Sequence, residues 1–265
     1  MEQQQIQEIG ERLYDAYRSG TTIAPLTESY SGITLEQAYQ AQLYFTERRL
    51  AAGEKIIGKK IGVTSKAVQD MLGVYQPDFG QLTDAMIFPN GSTLDLSNLI
   101  QPKAEAELAF VLKEDLVGPG ITAMDVIRAT DYVAPCFEIV DSRIDNWRIK
   151  IEDTVADNAS CGVFVLGDIK GDPRSIDITM AGMVLDKNGE LCCTGVGAAV
   201  QGGPANAVAW LANTLGSLGL PFKAGEIILS GSQSRLVEVT DGDELVCTVG
   251  GLGSCRVKFS GRSRA

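Results

Sequence analysis

The sequence contains no histidine among its 265 residues. This absence excludes a Ser-His-Asp triad, a Cys-His nucleophilic pair and any zinc site with histidine ligands. The groups that remain for acid–base chemistry are the side chains of Asp, Glu, Lys and Tyr, together with bound water. A catalytic site in this chain must therefore be built mainly from carboxylates and amines.

Basic charge is also scarce, because 23 Lys and Arg residues face 34 Asp and Glu residues, for a net charge of −11. Such a chain is not expected to bind nucleic acid or an anionic membrane as its main partner. Residues 1–5 are polar and lack the apolar core of a signal peptide, and no apolar run is long enough to span a bilayer. None of the six cysteines forms a CxxC motif, so we expect a cytoplasmic protein without a disulfide framework.

No internal repeat or linker divides the chain, so we expect a single domain over residues 1–265. Apolar residues such as Ile6 and Ile9 recur at helical spacing in residues 1–55, whereas residues 56–265 are rich in β-prone runs. The strands and helices do not alternate regularly, which favours an α+β fold over a doubly wound one. The candidate strands are 105–113, 134–141, 161–166, 178–187, 190–194, 226–230, 244–249 and 254–259, and two helices are expected at 122–132 and 204–218.

Three glutamates lie in otherwise apolar, β-prone runs. Glu105 and Glu107 are two residues apart, so they share one face of a strand, and Glu138 lies in a second such run. Carboxylates on buried strands are costly unless a positive charge holds them, and an all-oxygen site for a divalent cation is the simplest arrangement. Surface alternation, or an ion pair with Lys103 or Arg143, would explain the same residues without a metal.

Two further charged residues are candidates for catalysis. Lys60 lies between Gly58 and Gly62, and glycines on both sides let a ligand approach the backbone. The lysine is a candidate for binding a substrate carboxylate or moving a proton, although a solvated strand lysine would look the same. Asp78 follows Pro77 in a segment that we predict to be a loop, where it is either a general base or an ordinary turn residue.

Two small residues are candidates for contacting a substrate. Ser160 ends a polar cluster just before a predicted strand, where its hydroxyl is able to donate a hydrogen bond, although turn and capping roles are equally consistent with this cluster. Gly231 lies in a run of small residues after an apolar strand, and backbone N–H groups in such a run can bind an anion. Each of these signals is weak by itself.

Taken together, these motifs resemble the 2-oxopent-4-enoate (2-hydroxypenta-2,4-dienoate) hydratase family. This family belongs to a wider fumarylacetoacetase-like group that also includes the 4-oxalocrotonate decarboxylases. The resemblance covers nearly the whole chain, and the order and spacing of the segments are more specific than any one of them. The matching segments are residues 58–64, 72–80, 102–107, 138–143, 153–162 and 224–229.

The resemblance implies a fumarylacetoacetase C-terminal-like fold, a mixed β-sheet roll or barrel with an α-helical N-terminal portion. It implies Mg²⁺ or Mn²⁺ on the carboxylates of Glu105, Glu107 and Glu138, and active-site roles at the positions of Lys60 and Asp78. A role for the residue at the position of Ser160 is implied as well. The resemblance further implies a homo-oligomer, with a paired decarboxylase or a downstream aldolase as candidate protein partners.

The implied activity is that of a hydro-lyase, which adds water to 2-hydroxypenta-2,4-dienoate to give 4-hydroxy-2-oxopentanoate in the meta-cleavage pathway of aromatic catabolism. A 4-oxalocrotonate decarboxylase is the alternative within the family, and a non-catalytic partner subunit of a paired enzyme is an alternative of another class. The sequence does not distinguish a five-carbon from a six-carbon dienoate.

The chain departs from the family pattern at one point. Many relatives have Gly-His-Pro before the second of these helices, where this chain has Gly202, Gly203 and Pro204. Hydrolases of the wider group use a histidine–acid dyad to activate water. A chain without histidine cannot form this dyad, which argues against C–C bond hydrolysis.

Overall fold

The computed structural model describes residues 1–66, 69–70 and 74–264. Leu72 and Gly73, which belong to one of the segments that carry the resemblance, lie outside the described residues. No helix in the described ranges has both the length and the apolar character that a membrane span requires.

The N-terminal portion is helical, as its apolar spacing predicts. It contains α1 (Gln3–Ser19), α2 (Leu26–Ser29) and α3 (Leu35–Ala51). Thr34 caps α3 with a capping box, in which its side chain accepts a hydrogen bond from the N–H of Gln37. The buried faces of α1 and α3 pack together in a core that also contains residues of a later helix, so this portion is attached to the rest of the chain by apolar packing.

The described residues from 56 onward form two sheets, and those from 74 onward also contain three α-helices. The helices are α4 (Ala123–Ala129), α5 (Ile151–Ala156) and α6 (Pro204–Gly216). The strands are β1 (Ile56–Gly62), β2 (Asp78–Thr83), β3 (Ile87–Pro89), β4 (Thr93–Asp95), β5 (Pro102–Leu112), β6 (Thr130–Asp141), β7 (Cys161–Leu166), β8 (Gly182–Lys187), β9 (Glu190–Val196), β10 (Ile227–Leu229), β11 (Val237–Glu238), β12 (Glu244–Val249) and β13 (Gly253–Ser260).

The larger sheet is mixed and has the order β2-β1-β10-β5-β6-β7-β3, with β11 paired to β5. The smaller sheet has the order β4-β13-β12-β8-β9. Apolar side chains from both sheets and from α6 form one large core. The two long central strands, β5 and β6, are antiparallel over nearly their whole length, which fixes the register of the residues that they carry.

The predicted α+β organisation is confirmed, and several boundaries change. The predicted strand 178–187 begins only at Gly182, and the predicted helix 122–132 ends at Ala129, where β6 begins. The predicted loop around Asp78 is wrong, because Asp78 is the first residue of β2. The short strands β3, β4 and β11 have too few residues for a periodic pattern to be recognised in the sequence.

Candidate active site

The three glutamates meet on one face of the central strand pair. Glu105 lies directly opposite Glu138 in the β5–β6 register, and Glu107 is two residues farther along β5. One carboxylate oxygen from each residue lies within 4.8 Å of the other two. The ion pairs that would have explained these residues without a metal are absent from the described ranges, because Lys103 pairs with Glu238 and Arg143 pairs with Asp157.

The cluster is buried and short of hydrogen-bond partners. Glu138 is 0 % and Glu107 is 1 % exposed, while Glu105 is half-buried. Oε2 of Glu138 and Oε1 of Glu107 have no hydrogen-bond partner among the described residues, and Oε1 of Glu138 contacts the ammonium of Lys60. Buried carboxylates that lack partners are destabilising, so this set of atoms has the composition and the spacing that a divalent cation with oxygen ligands would satisfy.

Burial and the proximity of the carboxylates also shift the pKa values of two of these residues, Glu105 and Glu107. Burial, and after it the charge of Glu138, raises the pKa of Glu105 to about 7. Burial and the charges of Glu138 and Glu105 raise the pKa of Glu107 well above its usual value. Deprotonating the whole cluster therefore requires a compensating positive charge.

Gly231 holds one of these carboxylates in place. Its N–H donates a hydrogen bond of 2.8 Å to Oε2 of Glu107, which leaves Oε1 free to face the cluster. Its φ of +107° and the side chain of Thr64, which a Cβ would overlap, both restrict this position to glycine. The anion at this N–H is therefore Glu107, and a contact between Gly231 and a substrate stays a prediction.

Lys60 is the cation next to the cluster. It is 3 % exposed, and its Nζ lies 3.0 Å from Oε1 of Glu138, so it is not a solvated strand lysine. Burial alone would lower the pKa of Lys60, but the attraction to Glu138 and Asp78 outweighs burial and raises it. The side chain is therefore held as an ammonium group, able to stabilise negative charge but not to act as a base.

Asp78 lies beside Lys60 because of strand pairing. It is opposite Gly62 in the β1–β2 register, and a Cβ at Gly62 would lie 2.2 Å from Oδ1 of Asp78. The carboxyl is 2 % exposed, and its Oδ1 has no hydrogen-bond partner in the described part of the chain. Burial raises the pKa of Asp78 although Lys60 opposes the shift, so this carboxyl is easier to protonate than an ordinary aspartate.

Ser160 approaches the same place from an unusual turn. Asn158, Ala159 and Ser160 have successive φ values of 54°, 52° and 52°, in the left-handed region that non-glycine residues seldom adopt. The hydroxyl of Ser160 lies 3.0 Å from that of Thr154 on α5. Strained backbone of this kind persists only where surrounding contacts fix it, and it is frequent at functional sites.

A cavity of about 450 Å³ opens onto these groups. Such a volume suits a small organic ligand. Its polar lining includes Lys60, Asp78, Glu105, Thr154, Ser160 and Lys103. Its apolar lining consists of Val63, Val140, Trp147, Ile149, Ala159 and Leu236. The lining of the cavity thus combines charged and hydroxyl side chains with hydrocarbon side chains.

Comparison with known proteins identifies the family. Residues 64–260 match the family described as fumarylacetoacetate (FAA) hydrolase C-terminal. The chain is 57% identical over 261 residues to a 2-hydroxyhexa-2,4-dienoate hydratase of Comamonas testosteroni, with 98% of this chain and 99% of the relative covered. It is 59% identical over 221 residues to a 2-hydroxypent-2,4-dienoate hydratase of Pseudomonas putida, with 83% of this chain and 100% of the relative covered. The chain belongs to the 2-hydroxydienoate hydratase family.

The fold of this hydratase family member has a close counterpart among solved structures. The 4-oxalocrotonate decarboxylase from Pseudomonas putida G7, complexed with magnesium and adipate, superposes with a TM-score of 0.94 at 38% identity, with 98% of both chains covered. The same decarboxylase has also been solved with calcium and acetate. The family and the fold predicted from the motifs are confirmed, and identity is higher to the relatives named as hydratases than to the decarboxylase.

Several buried polar residues at this hydratase-family site are not among the site residues that the sequence predicts. Gln42 on α3 and Asn158 before β7 bind backbone groups of β2, the strand that begins at Asp78. Ser230 and Gln233, on either side of Gly231, are buried and have side-chain polar atoms without hydrogen-bond partners in the described ranges. A buried amide in a helix resembles a surface residue when only the sequence is read.

Proposed function

We propose that this chain is a metal-dependent hydratase that adds water to 2-hydroxypenta-2,4-dienoate, also written 2-oxopent-4-enoate, to give 4-hydroxy-2-oxopentanoate. The observation that carries the proposal is the cluster of Glu105, Glu107 and Glu138 beside Lys60 and Asp78. Glu105, Lys60 and Asp78 line a cavity whose other lining residues are largely apolar. High identity to relatives named as hydratases supports the same reaction, a step in the meta-cleavage catabolism of aromatic compounds.

The three glutamates are the residues proposed to hold a divalent cation, Mg²⁺ or Mn²⁺. Their unpartnered oxygens and short mutual distances support this assignment. Related proteins have been solved with magnesium, with calcium, and, at 16% identity, with Mn²⁺ and pyruvate. When bound, such an ion supplies Lewis acidity that favours the enolate form of a 2-oxo acid.

The reaction first converts the dienol to a conjugated 2-oxo-3-enoate, in which the C2 hydroxyl loses its proton and C5 gains one, and water then adds across the C3–C4 double bond. The hydroxyl oxygen bonds to C4, one proton of the water goes to C3, and no other reactant is consumed. Lys60, held as an ammonium, is proposed to stabilise the negative charge that develops on the substrate oxygens. Its ion pair with Glu138 fixes its position for this role, and the negative charge of Asp78 lies near enough to help raise its pKa.

Asp78 is proposed to carry the protons in this sequence. Its raised pKa suits a carboxyl that takes a proton from water and returns it to carbon, and its unpartnered Oδ1 leaves an atom available for that transfer. The hydroxyl of Ser160, which shares a hydrogen bond with Thr154, is proposed to orient the substrate or the water. Gly231 is proposed to act mainly by orienting Glu107.

We propose that the protein is a homo-oligomer in the cytoplasm. A paired decarboxylase or a downstream aldolase is its proposed protein partner. The alternative of a non-catalytic partner subunit is less favoured, because such a subunit has no need for four buried charged residues and the half-buried Glu105 in one cluster. A substrate with one carboxylate and a short hydrocarbon tail matches the charged and the apolar residues that line the cavity.

The test uses purified protein with Mg²⁺ and the dienoate. The expected result is loss of the ultraviolet absorbance of the dienol, together with formation of 4-hydroxy-2-oxopentanoate detected by mass spectrometry. Glu107→Gln should abolish this turnover, whereas Glu47→Gln, the same change at an exposed position on α3, should leave it unaltered. Release of CO₂ from 4-oxalocrotonate without hydration of the dienoate would instead assign the decarboxylase activity.

A further inference from the structure

The N-terminal helix α3 contributes a buried amide to the region of the active site. Gln42 is 1 % exposed, and its Nε2 donates two hydrogen bonds of 2.9 Å, one to the carbonyl of Phe79 and one to the carbonyl of Val155. An amide nitrogen has two hydrogens, so both are used. One side chain therefore fixes the distance between two otherwise separate carbonyl groups.

These two carbonyls belong to the two segments that carry Asp78 and Thr154. Phe79 follows Asp78 on β2, and Val155 follows Thr154 on α5. Asp78 and Thr154 both line the cavity. The amide of Gln42 is thus one residue away from the cavity on each side, although Gln42 itself does not line it.

A second contact from α3 reaches the same strand. The ring of Tyr39, one helical turn before Gln42, stacks on the ring of Phe79 with centroids 4.5 Å apart and an interplanar angle of 16°. The polar and the aromatic contacts hold Phe79 from two sides. The position of β2 at Asp78 is therefore set by the N-terminal helices as well as by its pairing with β1.

The other segment is fixed to β2 by a matching amide. The side chain of Asn158 accepts a hydrogen bond of 2.7 Å from the N–H of Gln81 and donates one of 2.9 Å to its carbonyl. Gly80 permits this approach, because a Cβ there would lie 2.4 Å from the carbonyl oxygen of Asn158. The left-handed turn that carries Ser160 is held against β2 by these contacts, which offset its unfavourable backbone conformation.

We propose that Gln42 is a positioning residue for the reaction, which holds Asp78 and the Thr154–Ser160 hydroxyl pair at a fixed separation. The N-terminal helical portion is in this view part of the catalytic apparatus. The proposal rests on the proposed function for its catalytic consequence, but the clamp between β2 and α5 is testable without turnover.

The test replaces Gln42 with Met, which has nearly the same length but no hydrogen-bond donor. In Gln42→Met the expected kcat for hydration falls about ten- to a hundredfold, because a displacement of catalytic groups by about 1 Å has an effect of this size. The affinity for Mn²⁺, measured by electron paramagnetic resonance, should change less than threefold, because the three glutamates lie on β5 and β6, whereas the hydrogen bonds of Gln42 go to β2 and α5. The control Glu47→Met, at an exposed position on the same helix, should match the unaltered protein in both measurements.

Hydrogen–deuterium exchange provides a measurement that does not depend on activity. In Gln42→Met, exchange should become faster in residues 79–81 and 155–160 and stay unchanged in β5 and β6. If Gln42→Met does not fold at the assay temperature, Gln42→Asn replaces it with the same expectations, because its shorter amide cannot reach both carbonyls.

A kcat within threefold of the unaltered protein, or a parallel loss of kcat and Mn²⁺ affinity with uniformly faster exchange, would overturn the positioning role. Absence of hydratase turnover in the unaltered protein would refute the proposed function alone, because the exchange pattern still tests the clamp.

Discussion

Removing the divalent cation should make the stability of this protein fall as pH rises from 4.5 to about 7. The experiment compares the stability of metal-free protein with that of protein in saturating Mg²⁺ across this pH range. Without a divalent cation, Glu105 and Glu107 can lose their protons only against their burial and the repulsion of the neighbouring carboxylates. The folded state therefore keeps protons that the unfolded chain has already released.

The sign and size of the effect follow from Glu105. Its pKa is 4.5 in an ordinary environment and about 7 in the folded protein, so between these values the folded state binds more protons and stability decreases with rising pH. Since one pKa unit corresponds to about 1.4 kcal/mol, Glu105 contributes at most about 3 kcal/mol of lost stability by pH 7. For a chain of this length, that loss lowers the Tm by about 5 °C.

Mg²⁺ should reverse the trend, because it replaces the protons as the partner of the carboxylates. At a hundred times its Kd, a ligand that binds only the folded state stabilises it by about 2.7 kcal/mol. Protons compete for the same oxygens, so the increase in Tm caused by Mg²⁺ should be small at pH 5 and several degrees at pH 8.

The assay is thermal unfolding followed by circular dichroism, in EDTA or in Mg²⁺, at constant ionic strength. The informative quantity is the difference between the two conditions, because titrations elsewhere in the chain cancel. In Glu107→Gln, which keeps an oxygen to accept the N–H of Gly231, the difference should shrink at every pH. A Mg²⁺ effect that is independent of pH, or that is equally large in Glu107→Gln, would refute the metal assignment.

Three further predictions concern single side chains. Asp78→Asn should lower kcat at least a hundredfold with Mn²⁺ affinity unchanged, as measured by steady-state kinetics and metal titration, and near-normal turnover would exclude Asp78 as the proton carrier. Lys60→Met should abolish turnover and destabilise the protein by about 3–5 kcal/mol in urea unfolding, because Glu138 and Asp78 lose their cation; an unchanged unfolding midpoint would contradict the ion pair. Ile149→Ala should shift the kcat/KM ratio about tenfold toward a six-carbon over a five-carbon dienoate, whereas an unchanged ratio would place the tail elsewhere.

Part of the glutamate cluster could be predicted from the sequence because side chains along a strand alternate with a period of two. That period places Glu105 and Glu107 on one face, and the apolar context of Glu138 marks a second buried strand. The direct pairing of Glu105 with Glu138 depends on the register of β5 and β6, which no local pattern specifies. The family resemblance predicts that Glu138 lies beside Glu105 and Glu107, and the strand register explains why it does.

Asp78 shows why local turn chemistry can be misleading. The Pro77-Asp78 pair is typical of a turn, yet Asp78 pairs with Gly62 at the end of β1, where the missing side chain makes room for the carboxyl. Gln42 shows the converse case, because its amide is polar and helical in sequence but almost fully buried in the structure. Both positions depend on contacts between residues that are distant in the chain, and the sequence pattern contains no record of them.

The absence of histidine also has a consequence for how protons move. Glu105, Glu107, Glu138 and Asp78 carry four negative charges when all are ionised, and Lys60 carries one positive charge, so three negative charges remain. A divalent cation, as proposed, leaves one negative charge before an anionic substrate arrives. Adding that substrate favours protonation of one carboxyl, and Asp78 is the carboxyl with a raised pKa that is not assigned to the metal. Substrate binding would then favour the protonated form of Asp78. This aspartate could therefore transfer protons at neutral pH, as histidine does in other enzymes.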